Sequence, residues 1–159
     1  MIIIKILVIS DSHRRASKIF DAVEAHPDIE HIIFLGDGVD DFEQIGFVYP
    51  HKKYYAVSGN CDFASTLPTT KIIKLNGKVI YACHGHLHQV KEGYDRAITA
   101  AKEAGADILL FGHTHIALST YYDGVHILNP GSIGAPRDSK SSYGIIEITD
   151  KGIVTNIVQ

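Results

Sequence analysis

The stretch IIIKILVISDSH, residues 2–13, sets the reading of the chain. Residues 2–9 are apolar apart from Lys5, and a run so rich in isoleucine and valine is the mark of a strand buried on both faces. Asp11, Ser12 and His13 then follow without a break. Polar, ligand-type residues at that point belong to the carboxyl end of the strand, where ligand sites assemble in α/β sheets. The apolar start resembles a secretion signal only superficially, because no small-x-small cleavage site follows it.

The same grammar recurs outward from this stretch. Residues 31–35 end at Gly36-Asp37-Gly38, and residues 53–57 at Gly59-Asn60-Cys61-Asp62. Residues 78–83 end at His84-Gly85-His86, and 108–111 run into Gly112-His113-Thr114-His115. Between them, Ile19, Phe20 and Val23 predict a helix over 17–25 that Pro27 stops. A short, weakly helical stretch is expected around 41–45, and a helix over 94–104 closes at Gly105. Asn76-Gly77, Asp123-Gly124 and Asp150-Lys151-Gly152 each join two strand-like runs as hairpins: 71–75 with 78–83, 117–122 with 125–128, and 143–148 with 153–157. The first half therefore reads as βαβ units with parallel strands and the tail as antiparallel. No repeat or linker interrupts the chain, so one domain over 1–159 is expected, a mixed α/β sandwich of two packed sheets with helices outside.

Composition narrows the function. The 159 residues are 45% hydrophobic, enough for one core, and 15 basic against 18 acidic residues leave a net charge of -3. That balance offers no field to steer nucleic acid or an anionic membrane, and no run approaches the roughly 20 apolar residues that span a bilayer. Cys61 and Cys83 are the only 2 cysteines and form no C-x-x-C pair, which suits a reduced, cytoplasmic setting. Exposed hairpin edges make a homodimer an expectation. Histidine is the outlier: 10 are present where average usage gives roughly three or four.

Taken singly, Asp-x-His, Gly-Asp-Gly and Gly-Asn are ordinary turn chemistry. The His113-x-His115 pair is stronger, because alternate residues of an extended segment point the same way. Five such groups at five strand ends point to divalent cations, since imidazole, carboxylate and amide oxygen suit manganese, iron, zinc or nickel. The donors exceed what one metal needs. Two ions would use them, with Asp37 bridging and a shared hydroxide attacking phosphorus in line. His26, His31, His51, His88 and His126 read as surface or satisfied core histidines.

The whole array, from Asp11 to His115, resembles that of the calcineurin-like metallophosphoesterases, whose pattern is Asp-x-His, Gly-Asp, Gly-Asn-His-Asp/Glu, Gly-His and Gly-His-x-His. The short length and Asn129-Pro130-Gly131-Ser132 resemble the YfcE-type phosphodiesterases and their relative, the small retromer subunit. The resemblance implies a four-layer α/β/β/α sandwich of two mixed sheets. It implies that Asp11, His13, Asp37 and His115 bind a first metal and Asp37, Asn60, His84 and His113 a second, manganese foremost, with Asn60 also touching the substrate phosphate. Arg137 and the 129–132 turn are similar to a stretch near that site and carry no assigned role. The family's histidine after Gly-Asn is Cys61 here, a poorer acid than imidazolium, so aryl diesters should suffer least. Whether His86 or His13 gives a proton instead stays open.

The expectation is thus a two-metal phosphodiesterase acting on small phosphodiesters, with Asp37, Asn60, Cys61, His84 and His86 in the catalytic set. The alternative is a protein-binding scaffold resembling the retromer subunit, against which the intact ligands argue. A nuclease subunit is disfavoured by the lack of a basic surface.

Overall fold

Alternation along β1 (Ile4–Ile9) sets the layers. Successive strand side chains point to opposite faces, so Ile6 and Val8 enter one core cluster while Leu7 and Ile9 enter another. The computed structural model describes residues 2–137 and 140–159. In chain order β1 is followed by α1 (Ala16–Ala25), β2 (His31–Phe34), α2 (Val39–Val48), β3 (Lys53–Ala56), β4 (Thr70–Leu75) and β5 (Lys78–Cys83). A 3-10 turn (His86–His88), α3 (Asp95–Glu103), β6 (Ile108–Leu110), β7 (Leu118–Tyr122), β8 (Val125–Asn129), β9 (Tyr143–Thr149) and β10 (Gly152–Val158) complete it.

Ten strands form two five-stranded mixed sheets, ordered β10-β9-β1-β2-β3 and β4-β5-β6-β8-β7. Between them lies a core of Ile6, Val8, Ile33 and Ile148 from the first sheet against Ile73, Ile80, Leu110 and Leu128 from the second. Ile19, Val23, Phe42 and Ile45 of α1 and α2 cover the outer face of the first sheet; Ala97 and Ala101 of α3 cover that of the second. This is the α/β/β/α sandwich the sequence implied. Among the described residues, no helix is long and apolar enough to cross a membrane.

Two expectations change. The weak helix around 41–45 is the ten-residue α2, because the Asp62 carboxylate accepts the N–H groups of Gly38 and Val39 at its start. That cap comes from across the fold, and a sequence window cannot contain it. The tail is also not simply antiparallel: β8 pairs in parallel with β6, and β9 crosses to the other sheet to lie antiparallel to β1. The close of α3 follows expectation, with Gly105 at φ +70 and the Ala106 and Gly105 N–H groups bonded to the carbonyls of Ala101 and Lys102.

Candidate metal centre

Parallel pairing brings the strand ends together. β1 and β2 align Ile9 with Phe34, and the Asp11 N–H bonds to the Gly36 carbonyl at 3.0 Å, which places Asp11 beside Asp37. In the second sheet the Gly112 N–H donates to the His84 carbonyl at 3.0 Å, which aligns the turns after β5 and β6. The His113 N–H reaches across to Asp11 Oδ2 at 3.0 Å and ties the two sheets at the site.

The turns carry strained backbone. Asp11, His13, Asp37, His113 and His115 all have φ between +44 and +69, a region costing an L-residue roughly 1–2 kcal/mol. Such strain persists only where surrounding contacts over-determine it, and it clusters at functional sites. The glycines allow close approach: a Cβ on Gly59 would sit 2.2 Å from Asp37 Oδ1, and one on Gly112 would sit 2.1 Å from Ser10 Oγ.

Each carboxylate is divided between holding and presenting. Asp11 Oδ2 accepts from Ser10 Oγ at 2.5 Å and from the His113 N–H. Its Oδ1 is buried with no hydrogen-bond partner among the described residues, yet it faces Nε2 of His115, His13 and His84 at 3.2, 3.6 and 3.8 Å. Asp37 Oδ1 accepts the Cys61 N–H at 2.8 Å, leaving Oδ2 at 3.3 Å from His84 Nε2 and 3.7 Å from His13 Nε2. The imidazoles are oriented from behind. His84 Nδ1–H donates to the Leu35 carbonyl and His115 Nδ1–H to that of Ala135, both at 2.6 Å, so in each ring Nε2 points into the site.

This arrangement suits a positive charge. His13 Nε2 lies 3.2 Å from His115 Nε2, and His113 Nδ1 lies 3.2 Å from His84 Nε2. Two lone pairs so placed repel unless a proton or a cation lies between them. Metal–ligand lengths of about 2.0–2.1 Å put neighbouring ligand atoms roughly 3.0–3.4 Å apart, so the spacing fits a divalent ion. Among the described residues, three sets have ligand atoms all within 4.8 Å of one another: Asp11, His13 and His115; His13, Asp37 and Cys61; Asp37, His84 and His113. The donor set and the orphaned Asp11 oxygen both fit a metal.

The electrostatics follow. Burial would push the Asp11 carboxyl up, but the imidazoles of His115 and His13 outweigh it and hold it well below the usual carboxylate range. Asp37 is likewise lowered, with burial opposing and His84 prevailing. Burial and the neighbouring His84 push His113 down to about 4. Burial, then Asp37, raise the Cys61 thiol.

Among the residues singled out from sequence, Asp11, His13, Asp37, His84, His113 and His115 converge, and Cys61 joins His13 and Asp37 at the edge. Asn60 is exposed and its side-chain amide reaches Cys61 Sγ at 3.5 Å. His86 stands behind, its ring 5.5 Å from that of His84 and 6.2 Å from that of His113, with Nδ1 buried and lacking a partner among the described residues. Four of the remaining histidines meet tyrosines: His26 with Tyr143, His31 with Tyr55 and His88 with Tyr81 by hydrogen bonds, and His126 edge-on to Tyr121.

Sequence reasoning assigned no role to the residues that brace this cluster. Asp62 binds the N–H groups of Asp37, Gly38, Val39 and Gly59. Ser132 Oγ donates to the Asp11 carbonyl at 2.7 Å, and Asn129 Nδ2 to the Gly112 carbonyl at 3.1 Å. The 129–132 turn therefore buttresses the site from beneath. The one local signal was that polar residues such as Ser10 and Asn129 end otherwise apolar strands.

An α/β/β/α sandwich with carboxylates and imidazoles gathered at its strand ends has the donor chemistry of a metal-binding site of the phosphoesterase type. Residues 4–151 match the calcineurin-like phosphoesterase superfamily domain, and the chain belongs to that family. It is 34% identical over 146 residues to the probable metallophosphoesterase YsnB of Bacillus subtilis, covering 90% of this chain and 83% of that one. It is also 34% identical over 142 residues to vacuolar protein sorting-associated protein 29 of Schizosaccharomyces pombe, covering 84% and 75% respectively. A crystal structure from Streptococcus pneumoniae, described as a predicted phosphoesterase, superposes with a TM-score of 0.85 at 25% identity, over 100% of this chain and 91% of that one.

Proposed function

We propose that the chain is a metal-dependent phosphodiesterase acting on small phosphodiesters. The observation that carries this reading is Asp11 Oδ1, buried, without a hydrogen bond among the described residues, and ringed by imidazole nitrogens. A buried carboxylate oxygen so placed costs free energy unless a cation meets it. Asp11, His13, Asp37 and His115 would hold one divalent ion, and Asp37, Asn60, His84 and His113 a second. Manganese is the first candidate, with nickel, iron or zinc behind it.

When bound, such ions polarise a phosphoryl oxygen and make water a nucleophile at neutral pH. The chain's own residues prepare the site for this. Cys61 N–H fixes Asp37 so that its free oxygen faces His84 and His13. Leu35 and Ala135 fix the tautomers of His84 and His115. A thiol such as that of Cys61 is a poorer proton donor to a departing oxygen than an imidazolium. Diesters with leaving groups that need no proton should therefore turn over best.

The test is hydrolysis of bis(p-nitrophenyl) phosphate and p-nitrophenyl phosphate by metal-stripped protein, with each metal restored in turn. Metal-dependent turnover favouring the diester, and its loss in folded Asp37→Ala, is the expected result. The relationship to vacuolar protein sorting-associated protein 29 supports a second reading, a scaffold that binds protein partners. Folded, metal-loaded protein that turns over neither ester would decide for the scaffold.

A further inference from the structure

The ligand cluster opens onto a cavity of about 540 Å3, walled by the turn bearing His13 and Arg14, the start of α2, and the turn from Cys61 to Ser65. That is the size of a pocket for a small organic group. His13, Asp37 and Cys61 are part of its lining, so the cavity adjoins the candidate metal centre.

Phe63 stands on the cavity wall with 92% of its surface exposed. Exposure alone says little: Phe47 on α2 is 86% exposed and lies outside the wall. Phe63 differs in position and in how it is held. It follows Asp62, whose carboxylate binds the N–H groups of Asp37, Gly38, Val39 and Gly59. The Ser65 N–H returns to the Asp62 carbonyl at 3.1 Å, and Ser58 Oγ bonds the Leu67 carbonyl at 2.8 Å. The ring is thus carried on backbone tied directly to Asp37. Across the cavity, Arg14 has its backbone N–H fixed by Asp41 Oδ2 at 2.9 Å. Its exposed guanidinium pairs with no carboxylate among the described residues. An exposed aromatic ring on a fixed stretch of backbone and an unpaired cation, lining one cavity with His13 and Asp37, match a planar ring that carries polar atoms.

We infer that this cavity is the subsite for one ester arm of the substrate, and that the arm is a planar aromatic ring stacked on Phe63 with its polar edge toward Arg14. The substrates are then aryl or nucleoside phosphodiesters, in preference to alkyl or glycerol-type ones. The inference rests on the phosphodiesterase reading and adds what lies beyond the phosphorus.

Calorimetric titration of the manganese-loaded full chain tests it without turnover. Phenylphosphonate is compared with methylphosphonate, and adenosine 5′-monophosphate with ribose 5-phosphate, in the native protein, Phe63→Ala and Phe63→Trp. Ring stacking predicts that the ring-bearing member of a pair binds roughly tenfold tighter. Phe63→Ala should erase the preference without weakening the ring-free ligand, and Phe63→Trp should keep it. A preference in the phenyl pair alone assigns an aryl arm; one in the adenosine pair assigns a nucleobase. Equal binding within both pairs, or a preference that survives Phe63→Ala, overturns the inference while leaving the phosphodiesterase reading intact. Failure of every phosphonate and phosphate to bind also overturns the inference, while metal-dependent hydrolysis of bis(p-nitrophenyl) phosphate decides the phosphodiesterase reading separately.

Discussion

Replacing Asp62 with alanine removes one carboxylate and strands four backbone N–H groups, those of Asp37 and Gly59 at 2.7 Å, Gly38 at 2.9 Å and Val39 at 3.0 Å. Hydrogen bonds to a charged acceptor are worth about 1.5–3 kcal/mol each, but Asp62 is half-buried and water refills part of the gap, so about 1 kcal/mol per bond is the working figure. The total is about 4 kcal/mol, including the lost cap of α2. For a chain of this size each kcal/mol lowers Tm by roughly 2–4 °C, which predicts a fall of about 8–16 °C. Asp62→Asn should not rescue it, because the amide nitrogen would face two N–H donors where an oxygen now accepts. Thermal melts of metal-free native and variant proteins by circular dichroism provide the measurement. A fall below about 2 °C for Asp62→Ala would refute the argument that this carboxylate holds the Asp37 turn and the α2 start together.

Further predictions concern the centre. Gly59→Ala places a Cβ 2.2 Å from Asp37 Oδ1, so it should weaken manganese binding at least about tenfold by calorimetry while Gly77→Ala, open around its Cα, leaves it unchanged. His113 titrates near 4 in the folded protein, against its ordinary 6.5. Between those values the unfolded chain takes up the proton and the native imidazole does not, so the stability His113 contributes is lost as pH falls from about 6.5 toward 4. Urea denaturation of metal-free protein at pH 7.5 and pH 5 should show native protein losing more stability than His113→Gln; equal losses would count against it. Cys61→His restores an imidazole where the thiol is a weak acid, and should raise turnover of alkyl diesters relative to bis(p-nitrophenyl) phosphate, read as the ratio of the two kcat/KM values.

Much of the centre was legible because its grammar is local. Buried strands read as apolar runs, and a His, Asp or Gly immediately beyond each run marks its end. Parallel pairing of β1 with β2 and of β5 with β6 then brings those ends side by side. The residues that position the ligands were not legible, since their partners lie far away in sequence: Ser132 meets Asp11 across 121 positions. Asp62 stood in the quoted Gly59-Asn60-Cys61-Asp62 motif without a role, and that role exists only once β3 has delivered it beside Asp37. Four of the histidines set apart from the array are likewise explained by distant tyrosines, His26 by Tyr143 among them.

By itself, the sequence determined the sandwich class and the donor residues at the strand ends, because alternation, glycine punctuation and donor chemistry are properties of short segments, and the order of those motifs carried the resemblance to the family. Only the tertiary structure decided that β9 and β10 join the first sheet, that α2 is capped from across the fold, and that Phe63 and Arg14 face one cavity beside the ligands. Those outcomes depend on which surfaces meet after collapse. A hairpin carries the same local signal whichever sheet it joins, and a phenylalanine reads as apolar wherever the fold leaves it.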